Sequence, residues 1–375
     1  MSTQSPDPRL ALIRDALGSP PAAYVRAPGR VNLLGGHVDY HEGPVVAMAI
    51  DRDVVVGMRP TNDGIVTVRS LDLSGTVEVA ADGSTEARTV EPAWGRIVAG
   101  VVRRLDQAGR PAVGIDAAVA TNLPIGAGLS SSAAFEIAIA LALGHAAGWT
   151  IDARELALAC QLAEHEATGV PCGIQDQLVA VAGVSDHALF IDCRDLAVEA
   201  LPLPEGVTVL VVHSGVPRTL EGSKWAARRA ETEAVAERLG LSVLRDAEPD
   251  AVADHPRARH VVSEIMRVHE FAGALRGGDA GTLGRLMLAG HASLRDDMEV
   301  STPELDALVE CLVDAGAFGA RLTGGGFGGC AVALVPSERA HSIAEHASAA
   351  YRAGTHREPR PFLVRAAPAA GLIAG

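Results

Sequence analysis

The segment Arg30-Val-Asn-Leu-Leu-Gly-Gly-His-Val-Asp-Tyr40 sets a permanent cation (Arg30), an amide (Asn32), an imidazole (His37) and a carboxylate (Asp39) around the pair Gly35-Gly36, in a chain that is 48% hydrophobic. Such a cluster is costly to bury unless its polar groups meet solvent or a ligand. A second stretch, Pro124-Ile-Gly-Ala-Gly-Leu-Ser-Ser-Ser-Ala-Ala134, joins a strand-like run to an apolar helical one. Gly126 and Gly128 let the backbone approach an anion closely, with Ala127 and Leu129 completing the turn. The free N–H groups at the helix start point at that anion, and the hydroxyls of Ser130, Ser131 and Ser132 are able to bond phosphate oxygens or a magnesium ion. No Lys follows the glycines, so this is not a Walker loop. The other reading of the same residues is a plain glycine turn capped by serine.

A magnesium ion bridging phosphates needs a carboxylate, and Glu164 and Asp176 lie in one compact segment downstream. Glu164-His165-Glu166 also suits a solvated helix face. Asp176, in Cys172-Gly-Ile-Gln-Asp-Gln177, also suits a carboxylate at a helix N-terminus. Farther on, Thr323-Gly-Gly-Gly-Phe-Gly-Gly-Cys330 is expensive in conformational entropy, which points to a close backbone approach or to a tight interdomain turn.

These residues need a frame to hold them. Val/Ile-rich runs at 47–56, 65–68 and 77–80 read as strands, a helix spans 94–107, and 113–120 is a strand leading into the glycine loop. Asp152 followed by Glu155 predicts a capped helix that stops at Gly169, with Pro171 just beyond. Residues 188–192 and 207–213 read as strands and 222–239 as a helix. Long helices follow from 260 to 313, and 330–335 is the last recognisable strand before an Ala/Gly-rich tail. With 375 residues two domains are expected, divided near Pro202-Leu-Pro204 into 1–203 and 204–375.

The net charge of -14 argues against nucleic acid or an anionic membrane as partner and favours small-molecule chemistry. Five cysteines (Cys160, Cys172, Cys193, Cys311, Cys330) show no CxxC spacing and are expected as reduced, mostly buried thiols. The N-terminus has no basic region followed by an apolar core. The longest apolar stretch, 133–147, is interrupted by Glu136 and His145 and is too short to span a bilayer, so a cytoplasmic protein is expected.

Taken together, the segments from Ala27 to Tyr40, from Gly126 to Ala133 and from Thr323 to Cys330 resemble, in order and spacing, the three motifs of the GHMP kinase superfamily and, within it, of the galactokinase family. Cys160-Gln-Leu-Ala-Glu-His, Pro171-Cys-Gly-Ile-Gln-Asp-Gln, His213-Ser-Gly-Val-Pro-Arg-Thr-Leu and Ser293-Leu-Arg-Asp-Asp-Met-Glu-Val-Ser are similar to further segments of that family, so the resemblance covers residues 24–335. It implies a two-domain α/β (α+β) fold, with an N-terminal ribosomal-protein-S5-like domain and a C-terminal ferredoxin-like domain around one active site. It also implies an ATP- and Mg²⁺-dependent sugar 1-kinase, and a monomer or weak homodimer is expected. On the family pattern Asp176 is the catalytic carboxylate and Arg30 its partner, while Ser132 and Glu164 hold the metal. His37, Asp39 and the Gly173 backbone meet the sugar, and Trp94 resembles an aromatic near the adenine, the other reading being a buried core tryptophan.

Two positions depart from the family pattern. Gly36 stands where galactokinases usually carry Glu, and Trp225 stands where they usually carry Tyr. Both lie in the expected sugar pocket, so galactose is the default substrate and arabinose, galacturonate or a cyclitol are alternatives. A non-catalytic sugar sensor is a remoter one, set against the presence of Arg30, Glu164, Asp176 and the intact serine loop.

Overall fold

The computed structural model describes residues 7–124, 126–217 and 222–374, so Ile125 of the glycine loop and Arg218-Thr219-Leu220 of the segment after His213 lie outside the described residues. Helix α1 (Pro8–Leu17) precedes strands β1 (Ala23–Leu34), β2 (Pro44–Thr61), β3 (Ile65–Ser70) and β4 (Thr76–Ala80). Then come α2 (Gly95–Gln107), β5 (Gly114–Thr121), α3 (Ser131–Ala146), α4 (Ala153–Thr168), α5 (Gln175–Ala182), β6 (His187–Asp192) and β7 (Ala197–Pro202). Among the described residues these strands form one sheet in the order β1-β2-β5-β3-β4, with β6 added to β2 and β7 to β6. All neighbours are antiparallel except β3 and β5.

The second part begins with β8 (Val207–His213), α6 (Gly222–Arg238), α7 (Pro256–Gly277), α8 (Ala280–Asp296) and α9 (Pro303–Asp314). It ends with β9 (Gly319–Leu322), β10 (Cys330–Pro336), α10 (Ala340–Thr355), β11 (Arg360–Val364) and β12 (Gly371–Ile373). Strands β11-β8-β10-β9 make a smaller antiparallel sheet, and β12 returns to the edge of the larger one beside β1.

Strand β1 carries the Arg30 cluster, and its burial is nearly continuous instead of alternating. Helix α1 covers one face of this sheet through Ile13 and Leu17, while α2 and α3 cover the other, so both faces of β1 are core. The β1–β2 register shifts between Pro28 and Arg30 and again between Asn32 and Leu34. Such irregularities re-aim side chains, and here they flank the two polar residues of the strand.

The helix at 153–168 is capped by Asp152, whose carboxylate accepts from the Arg154 N–H and not from Glu155 as a capping box would have it, and it ends on left-handed Gly169. The Ala/Gly-rich tail supplies β12, with β11 just before it. All five cysteines are free, with Cys172 and Cys311 only half-buried. Among the described residues no helix is long and apolar enough to cross a membrane.

Candidate active site

Arg30 is 5% exposed and reaches from β1 toward the start of α5. Its Nε and Nη2 each lie 2.8 Å from one oxygen of Asp176, and its Nη1 donates to the Gly128 carbonyl at 2.8 Å. One guanidinium therefore joins the carboxylate to the glycine loop in a fork geometry that a lysine cannot reproduce. Asp176 also accepts from the Ser130 hydroxyl and from Gln175 Nε2 (3.2 Å), and Gln175 is itself fixed by Asn32 Nδ2 at 2.8 Å. The Asp176 side chain keeps 29% exposure, which leaves it open to a ligand.

Ser130 sits at φ 58°, in the left-handed region, and spends its hydroxyl on Asp176 instead of capping α3. The first-turn N–H groups of that helix thus have no side-chain cap and face the turn of Gly126 (φ 73°) and Gly128 (φ 77°). The Thr323–Cys330 run owes its glycines to backbone packing. A Cβ on Gly324 would lie 2.8 Å from the Gly128 carbonyl oxygen, and one on Gly326 would lie 2.3 Å from that of Val300. Thr323 ties this run to β1, accepting from the Asn32 N–H at 2.9 Å and donating to the Asn32 carbonyl at 3.2 Å.

On the far side of Asp176, Asp39 and Gly173 are in close contact, since a Cβ on Gly173 would lie 1.7 Å from Asp39 Oδ2. Burial, and then the charge of Asp176, push the Asp39 carboxyl up to about 6. His37 occupies a left-handed conformation (φ 61°). Its Nε2–H donates to the Gly325 carbonyl at 3.2 Å, which leaves Nδ1 to accept from the Tyr40 hydroxyl at 3.1 Å. Trp225 stands beside both, 6.4 Å from the His37 ring and 5.5 Å from that of Tyr40. Arg30, His37, Asp39, Gly173, Asp176, Trp225 and the glycine loop thus belong to one neighbourhood. Trp94 is half-buried at the start of α2, donating to the Ser74 carbonyl and meeting Phe135 of α3 edge-on at 6.1 Å.

Gly36 is held from behind. Its N–H and that of Gly35 donate to Glu264 Oε1 at 3.2 and 2.9 Å, and its carbonyl accepts from His260 Nε2 at 2.9 Å. Glu264 is fully buried between Arg321 and Arg267, whose charges hold its carboxyl well below the usual range although burial alone would raise it. A Cβ on Gly36 would come within 3.0 Å of the Arg321 guanidinium, so the absence of a side chain here fits a buried ion pair packed against the loop.

Beyond the loop, the Ser132 hydroxyl donates to Glu164 Oε1 at 3.0 Å, so the two residues singled out for a metal do meet. Among the described residues no group of three or more His, Cys, Asp or Glu side chains is arranged to cage a metal. Several residues of this neighbourhood escaped the sequence reading. Gln175 and Gln177 flank Asp176 and stood in plain view, and Glu136 was visible as a lone carboxylate in an apolar helix. Thr323 heads the quoted glycine run, though its tie to Asn32 was not foreseen, and Glu264 and Arg321 carried no local signal.

The chain is similar to known proteins over most of its length. Residues 96–184 and 271–353 match the models described as "GHMP kinases N terminal domain" and "GHMP kinases C terminal", which defines the class as a kinase fold that transfers a phosphoryl group. Residues 14–60 match the "Galactokinase galactose-binding signature". A galactokinase from Roseiflexus sp. (strain RS-1) is 44% identical over 95% of this chain and 94% of its own length. The crystal structure of Lactococcus lactis galactokinase complexed with galactose superposes with a TM-score of 0.92 at 28% identity, covering 97% of this chain and 100% of that one. The Methanococcus jannaschii mevalonate kinase shares the fold at a TM-score of 0.69 and 21% identity, covering 92% of this chain and 98% of that one. The chain belongs to the galactokinase family. Nothing in these comparisons favours arabinose, galacturonate or a cyclitol over galactose.

Proposed function

We propose that this enzyme transfers the γ-phosphoryl group of ATP to the anomeric hydroxyl of D-galactose, giving the sugar 1-phosphate. The observation that carries the reading is the forked Arg30–Asp176 pair anchored on the Gly128 carbonyl, because it sets an acceptor carboxylate and a cation at the edge of a phosphate-binding turn. Phosphoryl transfer asks for alignment and for positive charge where the equatorial oxygens gather it. Asp176 receives the hydrogen of the attacking hydroxyl and aligns its oxygen. Arg30 keeps that carboxylate in place and offers charge to the transferring group. The α3 N-terminus and the backbone from Gly126 to Ser132 cradle the phosphates, with Trp94 on the adenine side. Asp39 and His37 orient sugar hydroxyls, Gly173 gives Asp39 room, and Gly36 and Trp225 shape the wall around the sugar.

Ser132 and Glu164 fit a magnesium ion that keeps most of its ligands as phosphate oxygens and water, since they offer one hydroxyl and one carboxylate 3.0 Å apart and no closed cage. When bound, the ion supplies positive charge against the phosphate oxygens. The division at 203/204 is proposed as the domain boundary, supported by its position between β7 of the larger sheet and β8 of the smaller. Five free cysteines support a reducing, cytoplasmic setting. Coupled ADP release with D-galactose tests the reading, with Asp176→Asn expected to lower kcat by about 10²–10⁴. A variant that keeps more than a tenth of the wild-type kcat would refute the role of Asp176.

A further inference from the structure

Behind the phosphate loop, a row of polar side chains is sealed into the core between α3, α4 and α5. Glu136 and Gln177 are both completely buried. The Gln177 amide nitrogen lies 2.9 Å from Glu136 Oε2 and 2.9 Å from Glu164 Oε2, so its two hydrogens reach one carboxyl group each. Glu164 Oε2 also accepts from the Cys172 thiol at 3.2 Å, while Glu164 Oε1 receives the Ser132 hydroxyl. The order is Glu136, Gln177, Glu164, Ser132, running from the core to the glycine loop.

Two oxygens in this row, Glu136 Oε1 and Gln177 Oε1, are buried without a hydrogen-bond partner among the described residues. They belong to two side chains already joined by one hydrogen bond. As acceptors they cannot satisfy each other, and a buried acceptor left unpaired is unfavourable. A proton on Glu136 would supply the missing donor, its Oε1–H turned to Gln177 Oε1 while Gln177 Nε2–H continues to donate to Glu136 Oε2. The same proton removes a second negative charge from the vicinity of Glu164. Burial, and then the charge of Glu164, push the Glu136 carboxyl well above its ordinary value, in the direction this pairing needs. The acid also fixes which way round the amide sits, and so turns its remaining N–H onto Glu164.

We propose that Glu136 and Gln177 form an acid–amide pair that aims the carboxylate of Glu164 toward the metal–phosphate end of the site, which makes both of them positioning residues. The inference rests on the reading of Glu164 as the metal-side carboxylate and adds what holds it there. Supporting shells of this kind are typically worth 10- to 100-fold in metal affinity.

The test is a titration of Mn²⁺ into the purified protein with ADP, followed by the electron paramagnetic resonance signal of free Mn²⁺ at constant pH. Thermal unfolding of each variant is run alongside. Gln177→Met, which keeps the length and loses both donors, should weaken Mn²⁺–ADP binding about 10-fold or more. It should raise the Mg²⁺ concentration for half-maximal activity in parallel, with the KM for galactose unchanged. Should that variant not fold, Gln177→Asn, shorter by one methylene, gives the same reading. Glu136→Gln keeps a neutral side chain with an acceptor and a donor toward Gln177, adds one buried N–H, and should weaken Mn²⁺–ADP binding clearly less than Gln177→Met. Glu164→Gln separates the two levels. If it leaves Mn²⁺ affinity intact, the metal-side role of Glu164 fails. If it weakens binding while Gln177→Met and Gln177→Asn do not, the positioning role is overturned, and if Glu136→Gln is as damaging as Gln177→Met, the neutral acid is overturned.

Discussion

Gly173 offers a clean perturbation, because its backbone lies outside the left-handed region and alanine costs nothing conformationally there. What an added methyl meets is Asp39, whose Oδ2 and Cγ would stand 1.7 and 2.2 Å from the new carbon. Ordinary contact begins near 3.4 Å, so the carboxylate must swing aside, giving up the Tyr40 N–H at 3.1 Å and its place against the sugar. A hydrogen bond to a charged group is worth about 1.5–3 kcal/mol, which is roughly 10- to 100-fold in kcat/KM for galactose. The KM for ATP should not move. Stability should change by less than about 1 kcal/mol, since the lower chain entropy of alanine in the unfolded state offsets part of the loss. Steady-state ADP release and calorimetric titration of galactose read the effect. The decisive comparison is a double-mutant cycle with Asp39→Ala, in which no carboxylate remains to displace and Gly173→Ala should cost almost nothing further. A galactose KM within twofold of the parent, or an undiminished loss in the Asp39→Ala background, would mean that displacement of Asp39 is not the cause.

Asp39 also predicts a pH dependence. Its folded value near 6 lies above the ordinary 3.8, so its contribution to stability is complete below 3.8 and is lost as the pH rises through about 6. That shift is worth up to about 3 kcal/mol, reduced to roughly 1–2 by the solvent that reaches this half-buried group. Ligand-free Asp39→Asn should therefore melt about 1–3 °C higher than the parent at pH 7.5, with the difference vanishing below pH 4 in a calorimetric scan; a pH-independent difference rules the cause out. Glu264→Gln leaves Arg321 and Arg267 without their buried counter-charge and weakens the anchor of Gly35 and Gly36. Urea denaturation should show about 3–5 kcal/mol lost, and a change below about 1 kcal/mol would mean the pair is dispensable.

What was legible in the chain followed from local signals. The glycine–serine loop before α3, the Asp152-to-Gly169 helix and the 207–213 strand each announce themselves through residues a few positions apart, and the structure has them close to those bounds. Strand β1 was hidden for a physical reason. Buried on both faces, bent at two register shifts and carrying Arg26, Arg30 and Asn32, it shows no alternation to detect. The tail strands β11 and β12 acquire their structure from β8 and β1, far away in sequence. In the site, Arg30 and Asp176 were picked out by residue type and family resemblance. The partners of the glycine run did not show because they are backbone atoms of Gly128 and Val300. Gly36 looked like a missing side chain, and the buried Arg321–Glu264 pair behind it supplies a packing context that no sequence spacing encodes.

Transfer to the anomeric oxygen of galactose is tested most directly by phosphorus NMR of the product formed from ATP, Mg²⁺ and D-galactose by the purified protein. Transfer to the anomeric hydroxyl gives a doublet from phosphate coupled to the anomeric proton, formed in step with ADP. Phosphate on any other hydroxyl, or ATP left intact while galactose binds, would contradict it.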